Sequence, residues 1–125
     1  MPTQHWKDEP EDHDFPAAAD YLSLVAPADE VKRVVAALRS TETIHRKAKD
    51  LLRASGLELL GPENVHVRRD LDKIADGKPL SPVLLVRGRA DNAIPLQIAD
   101  GYHRICASHL IDENADVPCR LVAWP

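Results

Sequence analysis

The chain has 125 residues, 44% hydrophobic and 29% charged, with a net charge of −4. Such a length holds one domain and a short tail, and it buries enough surface to need no metal or disulfide staple. Its longest uncharged stretch falls far short of the roughly 18 consecutive apolar residues of a membrane helix, which excludes a membrane span.

The opening Met1-Pro2-Thr3-Gln4-His5-Trp6-Lys7-Asp8 has no apolar core, so no secretory leader is expected. Two cysteines, Cys106 and Cys119, make neither a disulfide framework nor a zinc site. The expected location is therefore a reducing cytoplasm. The charge is unevenly spread: residues 1–30 carry eight acids and one base, residues 31–125 fifteen bases and twelve acids. That mild basicity is not the strong field of a nucleic-acid binder, but it suits a small anionic ligand.

In chain order, residues 1–16 hold three prolines, a run of acids and two large apolar groups. This composition predicts a flexible acidic tail, with residues 17–125 as one domain. Tyr21-Leu22-Ser23-Leu24-Val25 alternates like a strand. Pro27, followed by Asp29 and Glu30, starts a helix on which Val31, Val34, Val35 and Leu38 form one stripe. Ser40 or Thr41 is expected to cap a second helix, with Ile44, Ala48, Leu51 and Leu52 inward and Gly56 closing it. These two helices, over about 27–56, form an N-terminal helical extension. The intervening His45, Arg46, Lys47, Lys49 and Arg53 read as a solvated basic face.

Gly61-Pro62 breaks the chain, and Asp70 is expected to cap a short helix ended by Gly77, with Leu71 and Ile74 inward. Val83-Leu84-Leu85-Val86 reads as a buried strand, and Leu96-Gln97-Ile98-Ala99 as its hairpin partner after Pro95. Asp100-Gly101 turns into a helix to about Ile111, and Val117–Val122 is a last strand. The expected class is α+β: a helical pair, then a small mixed sheet with helices.

The informative segment is Ile98-Ala99-Asp100-Gly101-Tyr102-His103-Arg104. A strand ends, a glycine turns and a helix begins, which makes an anion site of the first helical turn. His103 and Arg104 reach the same anion, and Arg104 supplies a planar fork of donors suited to phosphate. Asp100 is placed to cap the helix or to hold a metal or a proton, and Tyr102 to stack on a base or substrate.

From Arg69 to Val122 the chain resembles the ParB/sulfiredoxin superfamily. The resemblance is carried by Leu71-Asp72-Lys73-Ile74, Gly77-Lys78-Pro79-Leu80, Pro82–Val86, Ile98–Ala107 with its Gly-x-His-Arg turn, and Val117–Val122. It implies a nucleotide-binding domain of ParB N-terminal type, with phosphates held by Gly101, Tyr102, His103 and Arg104, and with Arg69 and Lys73 in support. It also implies a nucleoside phosphate as cofactor (ATP, ADP or CTP), with Mg2+ a candidate companion but no metal ligands specified. Sulfiredoxins carry a nucleophilic cysteine where this chain has Tyr102, which argues against sulfinic-acid reduction. Free-serine kinases of this fold carry Asp-Gly-His-His-Arg, which Asp100–Arg104 approaches, giving Asp100 a catalytic role.

The expected function is thus nucleotide or phosphate binding, with hydrolysis or phosphoryl transfer to a small molecule if the site turns over. Two alternatives stand beside it: a non-enzymatic regulatory module with a protein or nucleic-acid partner, and, more weakly, a ParB-like nuclease. Oligomeric state is left open.

Overall fold

The computed structural model describes residues 3–125. Four strands form one mixed sheet in the order β1-β4-β2-β3: β1 Ile44–Lys47, β2 Val83–Val86, β3 Gln97–Asp100 and β4 Asp116–Val122. β2 pairs antiparallel with β3 and parallel with β4, and β4 pairs antiparallel with β1. The fold is α+β, as expected. No helix among the described residues is long and apolar enough to cross a membrane.

Helices cover both faces of this sheet. α1 (Asp14–Leu22) and α2 (Ala28–Ser40) pack over Leu84, Val86 and Ala99. α3 (Ala48–Ser55), α4 (Val65–Ala75) and α5 (Tyr102–Ile111) pack over Val83, Leu85, Ile98, Val117 and Cys119. Successive β2 side chains therefore enter opposite cores, which explains an apolar run without alternation.

The expected stripe of α2 holds: Val31, Val34 and Leu38 are buried and Val35 is half-buried. The carbonyls at its C-terminal end meet Arg120, a buried cation. Its Nη1 donates to Leu38 O at 3.1 Å and to Arg39 O at 2.9 Å, and its Nε to Thr43 Oγ1 at 3.3 Å. A cation there satisfies groups that the helix leaves unpaired and complements its dipole.

Several expectations are corrected. Tyr21–Val25 is the end of a helix and a turn, not a strand. The deciding pattern lies just upstream, where Phe15, Ala18 and Leu22 follow helical spacing and are all buried. The helix expected from Ser40 or Thr41 is preceded by a strand: Ile44–Lys47 pairs with Cys119–Asp116 before α3 begins at Ala48. Gly56 closes α3 in the left-handed conformation at φ +70°, as its position suggested. α4 begins six residues earlier than expected. Its cap is Asn64, whose side chain accepts from His66 N at 2.9 Å and Val67 N at 3.2 Å, while Asp70 lies mid-helix.

The acidic leader also departs from expectation. His5 and Lys7 hydrogen-bond through their backbones to Leu80, and Trp6 packs against the α3–α5 core. Phe15 is 5% exposed, and the Arg39 guanidinium lies 4.4 Å from its ring centroid. The two aromatics counted as too little apolar surface each have a prepared partner. Met1 and Pro2, the start of the expected tail, lie outside the described residues.

If the leader is structural, Phe15→Ala should lower stability by about 3–5 kcal/mol, the usual range for emptying a buried phenyl site. A urea melt reads this as a lower midpoint. An unchanged midpoint would mean that the leader adds nothing to the fold.

Candidate phosphate-binding site

β3 ends at Asp100, and Gly101 turns the chain into α5 at φ +112°. A β-carbon on Gly101 would run into the Val83 side chain, so both the conformation and the space require glycine. The first N–H groups of this helix have no intrahelical acceptor. Ile105 N is the first to close the helical ladder, onto Gly101 O.

α4 supplies the opposite wall. His66, Arg69, Asp70 and Lys73 fall on one helical face and, with Asp100, Gly101, His103 and Arg104, line a cleft of about 190 Å³. Five of the six residues expected to bind phosphate, Gly101, His103, Arg104, Arg69 and Lys73, are thus brought together. Tyr102 does not line the cleft: its hydroxyl donates to Glu58 O, while its ring lies 5.6 Å from that of His103 between centroids.

Arg104 is the most constrained of these groups. Its Nη2 donates to Asp100 Oδ2 at 3.0 Å and to Pro82 O at 3.3 Å, while its Nε is buried without a partner. Asp100 consequently does not cap α5; Gly101 occupies the cap position, and the Asp100 carboxylate holds the guanidinium one turn on.

Electrostatics in the cleft are set mainly by desolvation. Burial raises the Asp70 carboxyl above its ordinary value, opposed by Arg104, Lys73, His103 and Arg69. Burial raises Asp100 also, opposed by Arg104 and reinforced by the nearby Asp14 carboxylate. His103 is lowered by burial and by the neighbouring His66, whose ring lies 4.7 Å away between centroids. A lowered imidazole is neutral at neutral pH, leaving Arg69, Lys73 and Arg104 as the fixed cations.

A second cleft of about 360 Å³ shares Asp70, Lys73 and Arg104 with the first, so the two form one trough. Its further lining includes Lys78, from the loop before β2, and Lys7, Glu11, His13 and Asp14 from the leader. Asp14, 2% exposed, accepts from Glu11 N and faces Asp100. Sequence reasoning missed it, as it missed His66 and Asp70 on α4, since an acid before an apolar stripe looks like any helix-start acid.

Burial disfavours the thiolate of both cysteines. Both are fully buried, Cys106 is pushed up by burial, and Cys119 is pushed up to about 11.

No family model matches the chain, and neither a curated protein nor a solved structure does so.

Gly101→Ala should cost roughly 1–3 kcal/mol or more, from the left-handed backbone and the collision with Val83. Thermal unfolding checks this; a variant as stable as the parent would show that the turn relaxes freely.

Proposed function

We propose that the trough between α4 and α5 binds the phosphates of a nucleotide, as in a domain of ParB/sulfiredoxin type. One observation carries the reading. Arg69, Lys73 and Arg104 converge with the first turn of α5 on a single cleft, and the Arg104 Nε, shut off from solvent, has no acceptor within the protein. A phosphate oxygen is the group that such a donor set takes best, because charge-assisted bonds are short and strong.

ATP, ADP and CTP are the candidate ligands. Asp70 and Asp100 offer the hard oxygen donors that magnesium takes alongside phosphates. When bound, that ion would neutralise charge on the transferring group. Arg104 would orient the phosphates and hold their negative charge, and the neutral His103 would stand ready to accept a proton. Any turnover would be hydrolysis or phosphoryl transfer, a chemistry that rests on positioning and charge.

Calorimetric titration with ATP, ADP and CTP, each with and without magnesium, tests the reading. At least one should bind. Arg104→Ala should weaken it by about 1.5–3 kcal/mol, the scale of a hydrogen bond to a charged group. Arg69→Ala, at an exposed position, should also weaken it without affecting the fold. A flat response to all three nucleotides would overturn the proposal.

The pH dependence has a definite sign. A bound phosphate favours imidazolium, so the complex takes up protons at His103. Affinity should therefore rise as the pH falls below the ordinary histidine value of 6.5. His103→Gln should flatten this rise; an identical slope in the variant would remove His103 from the ligand's surroundings.

A further inference from the structure

Between α3 and the sheet lies a further cleft, of about 250 Å³. Its leucines come from four elements of the chain. Leu85 and Leu121 stand side by side on β2 and β4. Leu51 comes from the inner side of α3. Leu96 stands just before β3, where its N–H donates to Ala54 O at 3.0 Å and ties the end of α3 to the sheet. Two cations line the same cleft. Arg87 follows Leu85 by two residues, and its N–H still pairs with Val122 O at 2.8 Å. Strand alternation therefore sends its side chain to the face that carries Leu85. Arg46 adds a second guanidinium from β1. Both arginines are exposed, and among the described residues neither takes part in an ion pair. The carboxylate that lines the cleft, Asp50, is engaged 3.3 Å away with Arg53.

We propose that this cleft binds a small branched aliphatic carboxylate. The hydrocarbon chain lies on the leucines, and the carboxylate meets the fork of donors of Arg87, with Arg46 as the second cation. A cavity of about 150 Å³ is enough for a benzene-sized molecule, so the cleft has room for one such acid. An exposed arginine gains little from a carboxylate alone, because water screens the pair. A short hydrocarbon chain gains little from an open cleft alone. Leucines beside an unpaired guanidinium favour the molecule that offers both groups at once. Gly88, next to Arg87, lines the cleft without adding a side chain to fill it. The cleft shares no residue with the trough between α4 and α5, so the proposal stands independently of the nucleotide reading.

An amide NMR titration of the full chain with 4-methylpentanoate tests the proposal, with 4-methylpentan-1-ol and acetate as its two halves. Saturable shifts are expected at Leu85, Gly88, Leu96 and Leu121. The alcohol and acetate should each bind roughly tenfold more weakly, since each keeps one of the two contacts. Arg87→Gln should weaken 4-methylpentanoate by a similar factor. Arg87 is exposed, so resonances away from the cleft should stay in place and show an intact fold. Four results would each overturn the proposal. The first is the absence of saturable shifts, as expected if the arginine stems only cover the leucines. The second is equal affinity for the alcohol, which would leave a bare apolar depression. The third is undiminished binding by Arg87→Gln. The fourth is saturable shifts confined to α4 and the first turn of α5, which would place the acid in the trough instead.

Discussion

The contact between Gly101 and Val83 governs where the parts of the candidate site lie. Val83 is fully buried and fixed in the sheet opposite Cys119 of β4. A chain leaving β3 beside it has no room for a side chain and must turn with positive φ. That turn sets the origin and direction of α5, and with it the orientation of the first-turn N–H groups. Arg104, one turn later, folds back onto Asp100 and the Pro82 carbonyl and thereby joins helix, hairpin and preceding loop. The site's geometry is thus inherited from close packing in the core, which tolerates little displacement.

Charge burial is the second constraint. Asp14, Asp70 and Asp100 all lie near Arg104, and desolvation raises the latter two carboxyls. These acids do not simply cancel the cations. The Asp100 carboxylate engages Nη2 and leaves Nε facing no acceptor, so it aims the guanidinium while keeping a donor free. As pH falls, protonation of Asp70 or Asp100 and of His103 makes the trough more positive, all in the same direction. The groups around the cleft therefore act together on any anion, and a shift at one of them will be felt by the rest.

Elements with strong local signals were legible in the sequence. β2, β3, α5 and β4 each follow from an apolar run or a glycine turn, and their order brought Gly101, His103 and Arg104 to a helix start. The Arg69 and Lys73 contribution required the resemblance, since their facing α5 depends on the register of α4, which the Asn64 cap sets. β1 was hidden because Ile44-His45-Arg46-Lys47 is short and mostly exposed, and only its pairing with β4 makes it a strand. Tyr102 illustrates the opposite limit. Its place in the motif suggested ligand contact, yet it does not line the cleft: its hydroxyl is held by the Glu58 carbonyl, with its ring beside that of His103.

The leader shows why composition alone misjudged the N-terminus. Average polarity asks whether a segment can bury enough apolar surface by itself to offset its ordering entropy. Residues 5–15 need not do so, because Leu80 and the α2–β3 face are already built, and Trp6 and Phe15 each need only a seat. The remaining acids are then free to be functional surface. Glu11 and Asp14 reach the part of the trough lined by Lys73, Lys78 and Arg104, next to their own Lys7 and His13. Both ends of the trough therefore mix cations with carboxylates, and what distinguishes them is the start of α5 at one and the leader at the other. In the proposed reading, a nucleotide's phosphates belong at the α5 end, and whatever lies beyond them meets carboxylates supplied by the leader.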